Sequence, residues 1–320
     1  MQYNFDEVID RKNTNAVKLE RCKALFGTDD VLPLWVADMD FRTPDFILDA
    51  LRQRLEHPVL GYTMPPANFY PLMQQWITTH HNWNVKREWI GFLPGIVPGL
   101  AFAVQSLTEV GDEIIVQPPV YYPFFNVVKN NNRTLVYNPL IEKDGKFVMD
   151  FDDLEKKISA KTKLFILCNP HNPGGRVWTH EELQRFAGIC EKHNVIIVSD
   201  EIHADMVLPG NTRHTPMACV SEWAENHTVT FMAPTKVFNM PGLISSGYII
   251  PNADLRHKFA EFLEASEMNS GNLFAYIGAV AAYKNGEEWR LQMLDYVKEN
   301  IDFVAEYLSK HVPQIVPMIP

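Results

Sequence analysis

The 320-residue sequence predicts an α/β fold, a three-layer sandwich with a mostly parallel sheet covered by helices on both faces. Three observations lead there. From about residue 112 short runs rich in β-branched and aromatic residues recur, each ending in turn-forming or polar residues. Between two of them lies "THEELQRFAGICEKH" (179–193), whose apolar spacing is helical and whose Thr179 and Glu182 stand as a capping box. The composition, 46% hydrophobic over 320 residues, is ample for a large core.

Taken in order, the predicted strands are "DEIIVQPPV", "RTLVYNPL", "TKLFILCNP", "NVIIVSDEI", "HTVTFMAPT" and "SSGYIIP". Strands alternating with helices imply parallel pairing. The run "IGFLPGIVPGLAFAVQSL" carries no charge from Ile90 to Leu107 but is broken by prolines and glycines. It reads as a buried helix and is short for a membrane span. Residues 254–311 read as helical almost throughout, with a break near Asn269–Gly271, and "VPQIVPMIP" at the end has no helix period. No internal repeat, low-complexity tract or long linker interrupts the chain.

The net charge of −10 and the scattered basic residues argue against nucleic acid or an anionic membrane as partner. The polar N-terminus lacks the apolar stretch of a secretory signal. Four dispersed cysteines without CxxC spacing read as reduced thiols, so a cytoplasmic location is expected. "DEIHAD" lacks the helical spacing of a zinc motif, and no metal is expected. Cys168 and the pair His80–His81 show no evident partner and read as structural or exposed.

In a parallel sheet, ligands bind beyond the carboxyl ends of the strands. Four such ends carry chemistry: "PPVYYPFF" supplies Tyr121 and Tyr122, "CNPHNPGGR" Asn169 and Asn172, "VSDEIHAD" Asp200 and His203, and "APTK" Lys236. Asn172, Asp200 and Lys236 are each about one strand–helix–strand unit apart, so they can meet along one edge. Taken alone, Lys236 reads as a surface lysine, Asp200 as a helix cap and the tyrosines as core aromatics.

The motifs "PLWVADMDF" (33–41), "PPVYYPFF" (118–125), "CNPHNPGGRVWTHEEL" (168–183), "SDEIHAD" (199–205) and "APTKVFNMPGL" (233–243) occur together in one order. In that order they resemble the fold-type I pyridoxal-phosphate enzymes, the aminotransferase superfamily. Within it they look like the cystathionine β-lyase-like branch, which includes maltose-regulon modulator proteins. The resemblance runs from about residue 3 to the last helix. It implies an aspartate aminotransferase-like fold with pyridoxal 5'-phosphate linked to Lys236. It further implies Asp200 at the pyridine nitrogen, Asn172 at the ring hydroxyl and Tyr121 stacked on the ring. Backbone amides near Gly95, Ile96 and Val97 would take the phosphate. Tyr62 in "LGYTMPP" matches a tyrosine that reaches the phosphate from a neighbouring subunit, which implies a homodimer. His203 falls where relatives place a tyrosine near the ring hydroxyl.

The resemblance also implies α,β-elimination from an amino acid carrying sulfur on Cβ. Transamination by an aminotransferase, and a regulatory binding role of the modulator type, remain open at this point. The expected domains are an N-terminal segment 1–45 belonging to the small domain, a large cofactor domain 46–285, and the start of a small domain at 286–320. Family members continue into strands with a carboxylate-binding arginine. Here no arginine follows Arg290, which reads as mid-helical, so a C-terminally truncated small domain is expected.

Overall fold

The computed structural model describes residues 2–210 and 213–320. Nine strands are present among them: β1 (Ile90–Leu93), β2 (Glu113–Val116), β3 (Thr134–Tyr137), β4 (Ile141–Lys143), β5 (Lys146–Val148), β6 (Thr162–Cys168), β7 (Ile196–Asp200), β8 (Thr228–Met232) and β9 (Ser246–Ile249). Seven form one sheet in the order β1-β9-β8-β7-β6-β2-β3. The pairs β2–β3, β2–β6, β6–β7 and β7–β8 are parallel, and β9 runs antiparallel to both β8 and β1. It follows that β1 points the same way as β8. The carboxyl ends of β1, β2, β6, β7 and β8 therefore share one edge of the sheet, where β9 begins.

Successive side chains of a strand face opposite ways, and the core divides accordingly. Ile114, Val116, Leu164, Ile166 and Val198 join the cluster beneath helices Ile96–Leu107 and Ala253–Ala265. Ile115, Phe165, Leu167 and Ile197 join the cluster beneath His180–His193. A third cluster, built on Trp76, Phe238, Tyr276 and Trp289, ties helices Phe69–His81 and Leu273–Asn285 to the first turn of Glu287–His311. The mostly parallel three-layer arrangement read from the sequence is the one observed.

Three local features differ from the sequence reading. The apolar run is not one helix: Ile90–Leu93 is a fully buried strand, and the helix starts at Ile96. Pro94 removes a backbone donor and Gly95 adopts φ 100°, which ends the strand, while burial on every side erases any change in periodicity. The small hairpin β4–β5 also went unread. Asp144 and Gly145 both have positive φ at its turn, the conformation that a two-residue hairpin favours. Arg290 lies in the first turn of the last helix rather than in its middle, where it pairs with Glu287 and donates to the Asp205 carbonyl.

Candidate active site

The loop after β6 is folded by its own polar groups. The Asn172 N–H donates to Cys168 Sγ (3.2 Å), and the His171 N–H donates to the Arg176 carbonyl (2.7 Å). Arg176 in turn donates to both oxygens of Glu182, at 2.8 and 2.7 Å. Glu182 is the acidic member of the capping box with Thr179, which is present as expected. One local motif thus caps a helix and braces the loop that carries Asn172. Cys168, without an evident partner in the sequence, is part of this brace.

Asp200 ends β7 at the middle of the sheet. It is the Cα partner of Cys168 on one side and Phe231 on the other. Its side chain is buried, and Oδ1 accepts the Ile202 N–H at 3.1 Å. Burial raises its pKa to about 7; the neighbouring Glu201 adds to the rise, while the Ile202 bond and the Lys236 charge oppose it. Lys236 follows β8 and is partly buried. Burial lowers its pKa, against the opposing charges of Asp200 and Asp38. Its ammonium has no hydrogen bond or ion pair among the described residues.

Tyr121 stands beside Tyr122, ring centroids 5.3 Å apart, and its pKa is raised by burial, by Tyr122 and by Asp200. His203 is lowered to about 4 by burial and then by Lys236, so its ring is neutral at pH 7. A cavity of about 240 Å³ lies on this side, bordered by Asn172, His203, Met206, Ala37 and Pro320 among others. Lys236, Asp200 and Tyr121 do not line that cavity; His203, which does, lies within reach of the Lys236 charge.

At the end of β1, Gly95 caps helix Ile96–Leu107 with φ 100°, and no side chain caps the helix. The N–H groups of Ile96 and Val97 have no acceptor among the described residues. A helix start with bare amides favours an anion. Tyr62 is not brought to the other residues within this chain; it projects fully into solvent, near exposed Leu60 and Met64.

Beneath Asp200 lies a buried polar network that sequence reasoning missed. Glu201 accepts from Ser199 (2.8 Å) and the Met217 N–H (2.9 Å), and pairs with His214 (2.8 Å). His81 pairs with Asp205 (2.8 Å), which also accepts from Trp76 (3.0 Å). The two histidine rings meet edge to face at 5.3 Å. His80 stacks on Trp76 and bonds Glu287. The residue types were visible, but the partners of His80, His81 and Trp76 lie over a hundred positions away. No group of three or more His, Cys, Asp or Glu side chains able to hold a metal occurs among the described residues. No helix there is long and apolar enough to cross a membrane.

Comparison with known proteins agrees with this geometry. The chain is 44% identical over 318 residues to a protein named cystathionine beta-lyase PatB of Bacillus subtilis, covering 99% of this chain and 82% of that one. A pyridoxal-phosphate-bound protein of Clostridium difficile 630 superposes with TM-score 0.96 at 42% identity, over 100% of this chain and 83% of the other. Cystalysin of Treponema denticola, whose crystal structure contains pyridoxal 5'-phosphate, gives TM-score 0.95 at 35% identity, over 100% and 82%. The profile of the family described as aminotransferase class I and II matches residues 29–320, and the chain belongs to that family of pyridoxal-phosphate-dependent enzymes.

Proposed function

We propose that the protein is a carbon–sulfur β-lyase acting on cystathionine or a related S-substituted L-cysteine. Water and the substrate yield a thiol, pyruvate and ammonia, as the Cα–H and Cβ–S bonds break. The observation that carries this reading is the partly buried Lys236, unpaired among the described residues and within reach of the buried Asp200 charge, in a chain 44% identical to a protein named cystathionine beta-lyase PatB.

The residues suit the cofactor. A buried carboxyl pushed up to about 7 is short of positive charge, and a pyridinium N–H would supply it. An amine whose pKa is lowered by burial is the form that attacks an aldehyde. The bare amides of Ile96 and Val97, opened by Gly95, fit a phosphate. When bound, pyridoxal phosphate supplies an electron sink conjugated to the substrate Cα.

The chain's own groups do the rest. Lys236 takes the proton from the substrate Cα, and its lowered pKa keeps a share of the amine in the accepting form. Asp200 would hold a proton on the ring nitrogen. Asn172 and the neutral His203, which border the cavity, would hold the ring hydroxyl, and Tyr121 would supply an aromatic partner for the ring.

The homodimer belongs to this proposal, supported by the full exposure of Tyr62 among exposed apolar neighbours. A cytoplasmic setting also belongs to it, supported by four free cysteines. The same holds for the division into segment 1–45, the cofactor domain 46–285 and the small-domain portion 286–320.

The test is incubation with pyridoxal phosphate and L-cystathionine, with pyruvate and thiol measured separately. Equal release of both supports the lyase. Amino transfer to an added oxoacid without thiol release would replace it with the aminotransferase reading.

A further inference from the structure

Three residues beyond Lys236, Asn239 uses every hydrogen-bonding group it has. Its N–H donates to the Lys236 carbonyl (3.2 Å), and its carbonyl accepts from Thr43 Oγ1 (2.7 Å). Its side-chain Oδ1 accepts the Met39 N–H (2.9 Å), while Nδ2 donates to the carbonyls of Met39 (2.9 Å) and Phe41 (2.7 Å). The backbone sits at φ 49°, where Asn is one of the few L-residues at ease. Segment 38–43 belongs to no helix or strand, so these bonds stand in for a ladder. An aspartate could not donate to the two carbonyls.

What the clamp holds in place matters for the lysine. Asp38, at the start of that segment, is bound by Arg11 and Lys18, and its charge acts on Lys236 from almost two hundred residues away. Ala37, one residue earlier, borders the cavity. The other groups in electrostatic contact with Lys236 are Asp200 and His203.

We infer that Asn239 is a positioning residue that locks segment 38–43 onto the Lys236 turn and thereby sets where Asp38 and Ala37 stand relative to that lysine. The inference rests on the reading of Lys236 as the cofactor lysine.

The experiment uses the full chain without cofactor. Trace acetic anhydride labels the Lys236 amine across a pH series, read by peptide mass, and hydrogen exchange is followed over residues 38–43. Asn239→Gly keeps the positive-φ backbone and removes only the side-chain bonds. It should speed exchange in 38–43 by at least about tenfold and lower the Lys236 labelling midpoint by about half a pH unit, as a negative charge moves away. Asp38→Asn should lower the midpoint too, and adding Asn239→Gly to it should lower it little further. Thr43→Val, which removes one bond of the clamp, should act in the same direction more weakly and serves if Asn239→Gly does not fold. An unmoved midpoint in the folded variants, or a full additional drop on top of Asp38→Asn, would overturn the inference. Mapping the cofactor to a lysine other than Lys236 would sink the underlying reading instead, and would leave the exchange result standing.

Discussion

Asp200 and Lys236 act on each other's charge without joining in an ion pair. Each is pushed by burial toward its neutral form, the acid upward and the amine downward, and each partly counters the other. Two such groups at one sheet edge are poorly satisfied until a third group arrives between them. That arrangement costs stability and favours binding.

The first prediction follows from Asp200. Burial raises it to about 7, above the ordinary carboxylate value. Between about pH 4 and pH 7 the folded chain keeps a proton that the unfolded chain releases. Stability of the cofactor-free protein therefore falls as pH rises through that window, and the loss is complete above it. Asp200→Asn should flatten this dependence and stabilise the protein at pH 8 by on the order of 1–3 kcal/mol in urea unfolding. With Asp200 in the proposed role at the ring nitrogen, the same variant should lose about 10²–10³-fold in kcat/KM, because that nitrogen would lose its counter-charge.

A second prediction concerns the support under that loop. Glu201→Ala strands His214, the Ser199 hydroxyl and the Met217 N–H in a buried site. Unfolding should become easier by about 3–5 kcal/mol, whereas Glu201→Gln, which keeps two acceptor bonds within reach, should cost less. Denaturant midpoints of the cofactor-free proteins decide it. Equal stability of Glu201→Ala and wild type would mean the network carries no load.

The third concerns Gly95. A Cβ added there would meet nothing closer than 3.5 Å, so space is not the obstacle. The φ of 100° with ψ 152° is, and a side chain there costs about 1–3 kcal/mol. If the backbone relaxes to avoid that cost, the Ile96 and Val97 amides turn away from the proposed phosphate site. Gly95→Ala should weaken pyridoxal phosphate binding roughly tenfold by fluorescence titration.

The succession of β2, β3, β6, β7, β8 and β9 along the chain and the residues at their ends were legible because local patterning encodes them. The capping box of Thr179 and Glu182 could be read from four letters, and so could the polar stops after β6, β7 and β8. What was not legible depends on distance along the chain. His81 reads as a histidine at a helix end until Asp205 is seen beside it. Asn239 sits inside a quoted motif, yet its partners Met39 and Phe41 lie some two hundred residues earlier. Strand β1 was hidden for another reason: a strand buried on both faces and a buried helix are equally apolar.

The account depends most on Lys236, and one measurement addresses it directly. The protein is loaded with pyridoxal phosphate, reduced with borohydride, digested and mapped by mass spectrometry. The account predicts the cofactor mass on the peptide containing Lys236, at close to one per chain, and none after Lys236→Ala. Stoichiometric label on any other lysine, or undiminished label in the Lys236→Ala protein, would contradict it.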